Sequence, residues 1–343
     1  MAMNLTGHLS QLKNGQSLSS DQMQEAMNII MSGGAGTADI EEFLLSLRKK
    51  GESVDEITSA VRVMRQHAVK LSKAYPNLLD TCGTGGDAKN TLNISTLSAL
   101  VACAAGARVA KHGNRSVSSV CGSADLLEML GVKISLDSAG VERCIETVGF
   151  GFFFAPNFHP ATKAAMPARK NIQGKTLFNL LGPLTNPAGA DFQLIGVYSK
   201  PLVRVFAEVL SRLGSKRALV VHGLDGLDEI SLSGPSCVAE LYEGSIREYQ
   251  IEPRDFGLLP VVPEAFVCQH KEENRQKALK VLEGVPGPGT DVVCMNAAAA
   301  LYVCGNAPSL KEGFLMAQKT VHSHQAMDKL DHLIECSNDE EAE

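Results

Sequence analysis

Over residues 1–75 the apolar positions repeat three to four apart, the period of helices that each bury one face. Met23, Ala26, Met27, Ile30 and Met31 follow a Ser19-x-x-Gln22 capping signal and stop at Ser32-Gly33-Gly34. Ile40, Phe43, Leu44 and Leu47 predict a second helix ending at Gly51, and Ser53-x-x-Glu56 opens a third that carries Ile57, Val61, Met64, Ala68 and Leu71. Three such short helices enclose little core of their own, so their apolar faces must pack on one another, on the rest of the chain or on a second copy of it.

From residue 77 the rhythm changes to short apolar runs alternating with helical stretches. Strands are predicted at 78–79, 108–110, 150–155, 194–198 and 218–221, and helices at 94–105, 124–130, 141–148 and 202–213. That succession calls for a mostly parallel central sheet covered by helices. Runs 237–242 and 246–251 around Glu243-Gly244-Ser245 read as an antiparallel addition, and the tail returns to helix at 274–283, 290–303 and 309–335. The predicted class is α/β, with a small all-helical N-terminal domain over 1–75, completed or not by later helices, and a larger α/β domain over 76–343.

Three polar stretches crowd between residues 79 and 123. In Gly83-Thr84-Gly85-Gly86-Asp87 the glycines let the backbone take positive φ and aim successive N–H groups at a ligand. Asn93 precedes the apolar run that begins at Ile94, a helix start whose free donors and dipole favour an anion. Lys111 and Arg115 add charge, and Ser116, Ser118 and Ser119 add hydroxyls. Each stretch alone reads equally as a glycine turn, a helix cap or a solvated loop. Together they place anion donors at one end of adjacent strands, where open α/β sheets bind ligands, and they predict a ligand with more than one phosphate.

Two further signals lie outside that segment. Asp225 and the adjacent Asp228-Glu229 follow a predicted strand; they are either a solvated acidic turn or oxygen ligands for Mg2+ opposite a polyphosphate. Arg169, on a predicted helix, is either a surface arginine or a planar fork for a carboxylate, which lysine cannot match.

Composition narrows the setting. At 343 residues, 44% hydrophobic and 20% charged, the chain has the ordinary make-up of a soluble protein. A net charge of -6 argues against a general nucleic-acid coat and confines any cationic site to a local patch. Nine cysteines without a C-x-x-C pair read as buried thiols in a reducing compartment. With no signal-peptide pattern and no apolar run near the ~20 residues of a membrane span, the expectation is a cytoplasmic protein without membrane contact.

The glycine run 83–87, Asn93-Ile94-Ser95-Thr96, Lys111-His112-Gly113-Asn114-Arg115, the segment 178–187 that begins Phe178-Asn179-Leu180-Leu181-Gly182-Pro183, and Gly226-Leu227-Asp228-Glu229 stand in the order seen in the anthranilate phosphoribosyltransferase family. The sequence resembles that family over nearly its whole length. The resemblance implies a nucleoside phosphorylase-like phosphoribosyltransferase fold. It also implies transfer of the phosphoribosyl group of 5-phosphoribosyl 1-diphosphate (PRPP) to the amine of anthranilate, giving N-(5-phosphoribosyl)anthranilate and diphosphate in L-tryptophan biosynthesis.

Residue by residue, the resemblance implies PRPP contacts from Gly83, Gly86, Asp87, Thr91, Asn93, Ile94, Ser95 and Thr96. It adds Lys111, His112, Gly113, Asn114, Arg115, Ser116, Val117, Ser118, Ser119 and Ser123. Arg169 falls on the anthranilate carboxylate, with Gly83 and Asn114 in the same pocket. Asp228 and Glu229 are assigned to one Mg2+ and the Ser95 hydroxyl to another, and a homodimer through the helical domain is favoured. No dedicated general base is identified, His159 beside Pro160 being read as structural.

The chain departs from the family pattern at Ala88, where a third loop glycine is usual, at Ile172-Gln173-Gly174-Lys175-Thr176, and at His322-Ser323-His324-Gln325-Ala326. Ala88 must reach its turn with negative φ or accept strain. Two rival readings are a pyrimidine nucleoside phosphorylase-like enzyme and a non-catalytic relative that binds nucleic acid. Net charge and the intact motifs oppose the second.

Overall fold

Four helices, not three, make up the N-terminal segment: α1 (Thr6–Lys13), α2 (Ser20–Met31), α3 (Thr37–Lys50) and α4 (Val54–Gln66). The structure, a computed structural model, describes residues 4–116 and 119–339, so the contributions expected of Val117 and Ser118 lie outside the described residues. Helix α1 escapes the pattern because Leu9 and Leu12 are the only apolar side chains it buries. Both capping boxes form, Ser19 with Gln22 and Ser53 with Glu56. Glu56 is fully buried, where it also accepts from the Leu18 N–H and meets Lys50 Nζ at 2.7 Å. Helix α4 stops at Gln66, so Leu71, expected on it, instead joins a small cluster around Leu78 and Phe158.

The remaining chain runs β1 (Leu78–Gly83), α5 (Ile94–Ala104), β2 (Arg108–Gly113), α6 (Ser123–Met129), α7 (Ser138–Thr147), β3 (Phe150–Phe154), α8 (Ala155–Phe158), α9 (Met166–Asn171), α10 (Leu177–Leu181), β4 (Phe192–Gly196), α11 (Pro201–Arg212) and β5 (Arg217–Gly223). It closes with β6 (Ser236–Tyr242), β7 (Ser245–Ile251), α12 (Lys271–Leu282), α13 (Pro288–Val303), α14 (Leu310–His322) and α15 (Gln325–Asn338). The expected helix 309–335 is thus two, because the chain turns at His324, whose φ of 63° cannot continue a right-handed helix.

The strands form one seven-stranded sheet in the order β3-β2-β1-β4-β5-β6-β7. The first five are mutually parallel, and the predicted hairpin β6-β7 adds antiparallel pairs at the β5 edge. One apolar layer on the sheet comes from α5, α6 and the C-terminal helices α12 to α15. The other joins α1 to α4 with residues of α9, α10 and α11, so the N-terminal helices share a core with later segments.

Candidate active site

Strand order reverses direction between β1 and β4, and a crevice opens beyond the carboxyl ends of those strands, as the physics of doubly wound sheets requires. Their last residues, Gly83 and Gly196, pair across that opening. A Cβ on Gly196 would stand 1.5 Å from the Asp228 carbonyl oxygen, and one on Gly83 would stand 2.7 Å from Asp228 Oδ2. Two strand-ending glycines therefore let the Asp228-Glu229 turn cross directly over the sheet. The resulting cleft, about 340 Å³, is lined by nearly all the residues expected in it.

Within the glycine loop, Thr84 N–H donates to Gly196 O at 2.9 Å and Gly85 N–H to Asp228 Oδ2 at 2.8 Å. The expectation that Gly85 aims its N–H at phosphate is corrected here: a buried carboxylate takes that donor. Ala88 accepts strain, with φ at 58°, a conformation in which its Cβ crowds the backbone. Asn93 sits at the N-cap of α5 without capping it. Its Nδ2 donates to Cys121 O at 3.1 Å, and its Oδ1 is buried with no protein partner. The start of α5 serves Glu229 instead, whose Oε1 accepts from Ser95 N–H at 3.1 Å.

Burial pushes the Asp228 carboxyl up to about 7, with repulsion from Asp87 adding to it. Burial likewise pushes Glu229 well above the usual carboxylate range, reinforced by Asp228. Two crowded, buried acids at the end of a strand are a donor set for a hard dication. An all-oxygen donor pair suits Mg2+, an ion that keeps waters and takes phosphate oxygens.

Lys111 and His112 belong to β2, not to a loop. Lys111 is 1% exposed; its Nζ donates to Thr81 O at 2.5 Å and lies 3.4 Å from Ser95 Oγ. Burial lowers its pKa while Asp80 and Glu229 oppose the fall. It reaches the cleft from underneath. Arg115 lines the cleft, but its guanidinium is turned to Glu128 by two bonds of 2.6 and 2.9 Å and stands 3.4 Å from Asp125. The charge expected for phosphate is therefore largely taken up by two carboxylates. Ser116 and Ser119 bond each other's hydroxyls, and Ser123 Oγ, at the start of α6, donates to Asn114 O at 3.3 Å. Thr96 is fully buried and does not line the cleft, so its hydroxyl is not placed for the expected phosphate contact.

Arg169, near the end of α9, lies half-buried in the cleft wall with its guanidinium 4.8 Å from the Phe178 ring centroid. Burial lowers its pKa, and among the described residues it forms no salt bridge. Phe178, Asn179, Gly182 and Pro183 complete this side. The sequence held the signal for them in the run 178–187, whose site role went unassigned. Asn90 and Gly122 also line the cleft and carried no such signal.

His112 and His159 lie 5.1 Å apart between ring centroids with their planes tilted by 56°, both buried, each with an Nε2 unpartnered among the described residues. Burial drives His112 down to about 3, with His159 and Lys111 adding to the fall, and His159 down to about 4. Both are neutral at pH 7, and neither supplies charge to the cleft. In the unfolded chain they protonate near 6.5, so the unfolded state binds more protons as pH falls below that value. Stability from keeping them neutral is complete above pH 6.5 and is lost progressively down to about 3 to 4. Thermal melts from pH 7.5 to 4.5 should fall less steeply for His159→Gln than for the parent; parallel curves would show that the ring does not titrate in this way.

The chain matches two family models, the glycosyl transferase family helical bundle domain over residues 7–68 and the glycosyl transferase family a/b domain over residues 75–327. It is 50% identical to the anthranilate phosphoribosyltransferase of Laribacter hongkongensis, covering 96% of this chain and 97% of that one. Among solved structures it resembles anthranilate phosphoribosyltransferase of Thermus thermophilus, with a TM-score of 0.91 and 42% identity over 96% of this chain and 99% of that one. It also resembles the enzyme of Saccharomyces cerevisiae in complex with PRPP and Mg, with a TM-score of 0.89 and 28% identity over 97% of each chain.

Proposed function

The chain belongs to the anthranilate phosphoribosyltransferase family, and we propose on that premise that its cleft joins the amine of anthranilate to C1 of PRPP, with diphosphate leaving. The C1–N bond forms as the C1–O bond breaks, the bonding pair departs with diphosphate, and the amine gives up a proton afterwards. Positive charge builds on the ribose and negative charge on the leaving group, so stabilising the diphosphate is the main catalytic task.

Asp228 and Glu229 would hold Mg2+, with the Ser95 hydroxyl at a second ion, two per subunit. When bound, the metal neutralises charge on the diphosphate. The protein's own part is to aim Asp228 and Glu229 through the Gly85 and Ser95 N–H groups, which oppose part of the burial that favours their neutral forms. Lys111 offsets the charge of Glu229, and of Asp80 beneath it, from below. Gly86, Asp87, Thr91, Ile94, Gly113, Ser116, Ser119 and Ser123 would face PRPP, and Gly83, Asn114 and Arg169 would face anthranilate. Holding both reactants there converts a bimolecular encounter into a near-attack arrangement. Closure of the helical domain, 1–75, on the α/β domain, 76–343, through a hinge at 75–80 would exclude water from C1.

A homodimer formed through the helical domain is part of this reading. So is a cytoplasmic setting, supported by nine free cysteines, which suit a reducing compartment. Among the described residues no helix is long and apolar enough to cross a membrane.

The observation that carries the reading is Arg169, a half-buried cation stacked on an aromatic ring with no salt bridge of its own among the described residues, facing the same cleft as the paired acids. An aromatic carboxylate satisfies both the ring and the charge. The test is loss of anthranilate fluorescence on adding PRPP and Mg2+ to the purified chain. Fluorescence that persists at saturating Mg2+, with phosphorolysis of a nucleoside in its place, would assign the cleft to the phosphorylase reading.

A further inference from the structure

Helix α12 follows β7 by a long excursion, lies far from the polar stretches in sequence, and yet makes polar contacts with the end of the glycine loop directly and with the serine loop through Asp125 on α6. Asn274, 1% exposed, donates from Nδ2 to Thr91 O at 3.2 Å and accepts at Oδ1 from Asn93 N–H at 3.4 Å. Those two backbone groups flank the entry to α5, where the glycine loop hands over to the helix. One turn earlier, Lys271 Nζ meets Asp125 Oδ1 at 2.8 Å, and Asp125 Oδ2 accepts from the N–H groups of Ser116 and Gly122 at 3.0 and 2.9 Å. One turn later, Lys277 Nζ donates to Val267 O at 2.6 Å, and Val267 bridges to Thr91. Residues 271, 274 and 277 are three apart and share a helix face.

We infer that Asn274 is a positioning residue for PRPP, and that the first turns of α12 form a strut which sets the glycine loop and the serine loop at a fixed separation. The inference rests on the reading of the cleft as a PRPP site. A primary amide is the side chain that offers a donor to Thr91 O and an acceptor to Asn93 N–H at once. Removing it leaves two partly buried backbone groups without their protein partner, so the loop must shift to find water or other partners. A shift there moves Thr91, Asn93 and Ser95 relative to Ser116 and Ser119 across the cleft. Arg169 and Phe178, on α9 and the 178–183 segment, share no hydrogen bond with α12 among the described residues, so the carboxylate end of the anthranilate half should not feel the change.

The test uses the full-length enzyme and steady-state kinetics in both substrates, with a thermal melt for each variant. Asn274→Ala should raise KM for PRPP by about tenfold or more while KM for anthranilate stays within about twofold. Lys271→Met, at a side chain half exposed to solvent, should shift KM for PRPP in the same direction by a smaller factor. A merely structural role lowers the melting temperature and the active fraction and leaves both KM values in place; that result overturns the inference. If Asn274→Ala does not fold, Lys271→Met and Asn274→Asp decide, and an unchanged KM for PRPP in both is equally fatal. An inactive parent would instead sink the PRPP reading itself.

Discussion

Asp228→Asn is expected to lower kcat/KM for PRPP by roughly 10²–10³-fold while leaving the melting temperature unchanged or higher. The carboxylate lies over the paired ends of β1 and β4, accepts from Gly85 N–H at 2.8 Å, and is pushed up to about 7 by burial and by Asp87. Asparagine keeps the shape and the acceptor, so the loop stays in place. The change removes the negative charge that would hold Mg2+ against the leaving diphosphate, and it relieves repulsion between Asp87, Asp228 and Glu229. Activity and stability therefore move in opposite directions, the signature of a site whose strain serves function. Kinetics across a Mg2+ series, beside a thermal melt, separate the effects. Wild-type kcat/KM at every Mg2+ concentration would free Asp228 from the metal role.

The second large effect is expected at the other end of the cleft. Arg169→Ala should raise KM for anthranilate about 100-fold, near 2.7 kcal/mol, with KM for PRPP little changed. The guanidinium stacks on Phe178 in a half-buried wall and forms no salt bridge among the described residues, so a substrate carboxylate there gains a charge-assisted pair at low solvent exposure. Arg169→Lys should recover only a small part of the loss, because an ammonium cannot present two parallel donors or stack on the ring. Equal KM values for parent and Ala variant would place the carboxylate elsewhere.

Much of this molecule is legible in the chain itself. The change from helical period to strand-helix alternation near residue 77 separates the N-terminal helices from the parallel sheet, because a helix or strand with one buried face must repeat its apolar residues at its own period. The capping boxes at Ser19 and Ser53 mark helix starts through purely local bonds. What failed locally was also local in cause. Helix α1 buries too few apolar side chains to announce itself, and His324 breaks the C-terminal helix without a glycine or proline.

The site divides along the same line. Residue types and short spacings marked the glycine loop and Lys111 as anion donors but left Arg169 and the Asp228-Glu229 pair open between surface and site roles; the family resemblance joined them into one expected set. Sequence could not show that Gly196 must lack a side chain so that Asp228 can cross it, or that Gly85 gives its N–H to that acid. Nor could it show that Arg115 turns to Glu128 and Asp125, or that Asn274 holds the backbone at Thr91 and Asn93. Those contacts join residues brought together only when the sheet and its covering helices have packed. Composition and period determine which elements form and which chemistry they carry; the pairing of a donor with one acceptor among many equivalent ones is settled by distance, and distance exists only in the folded chain.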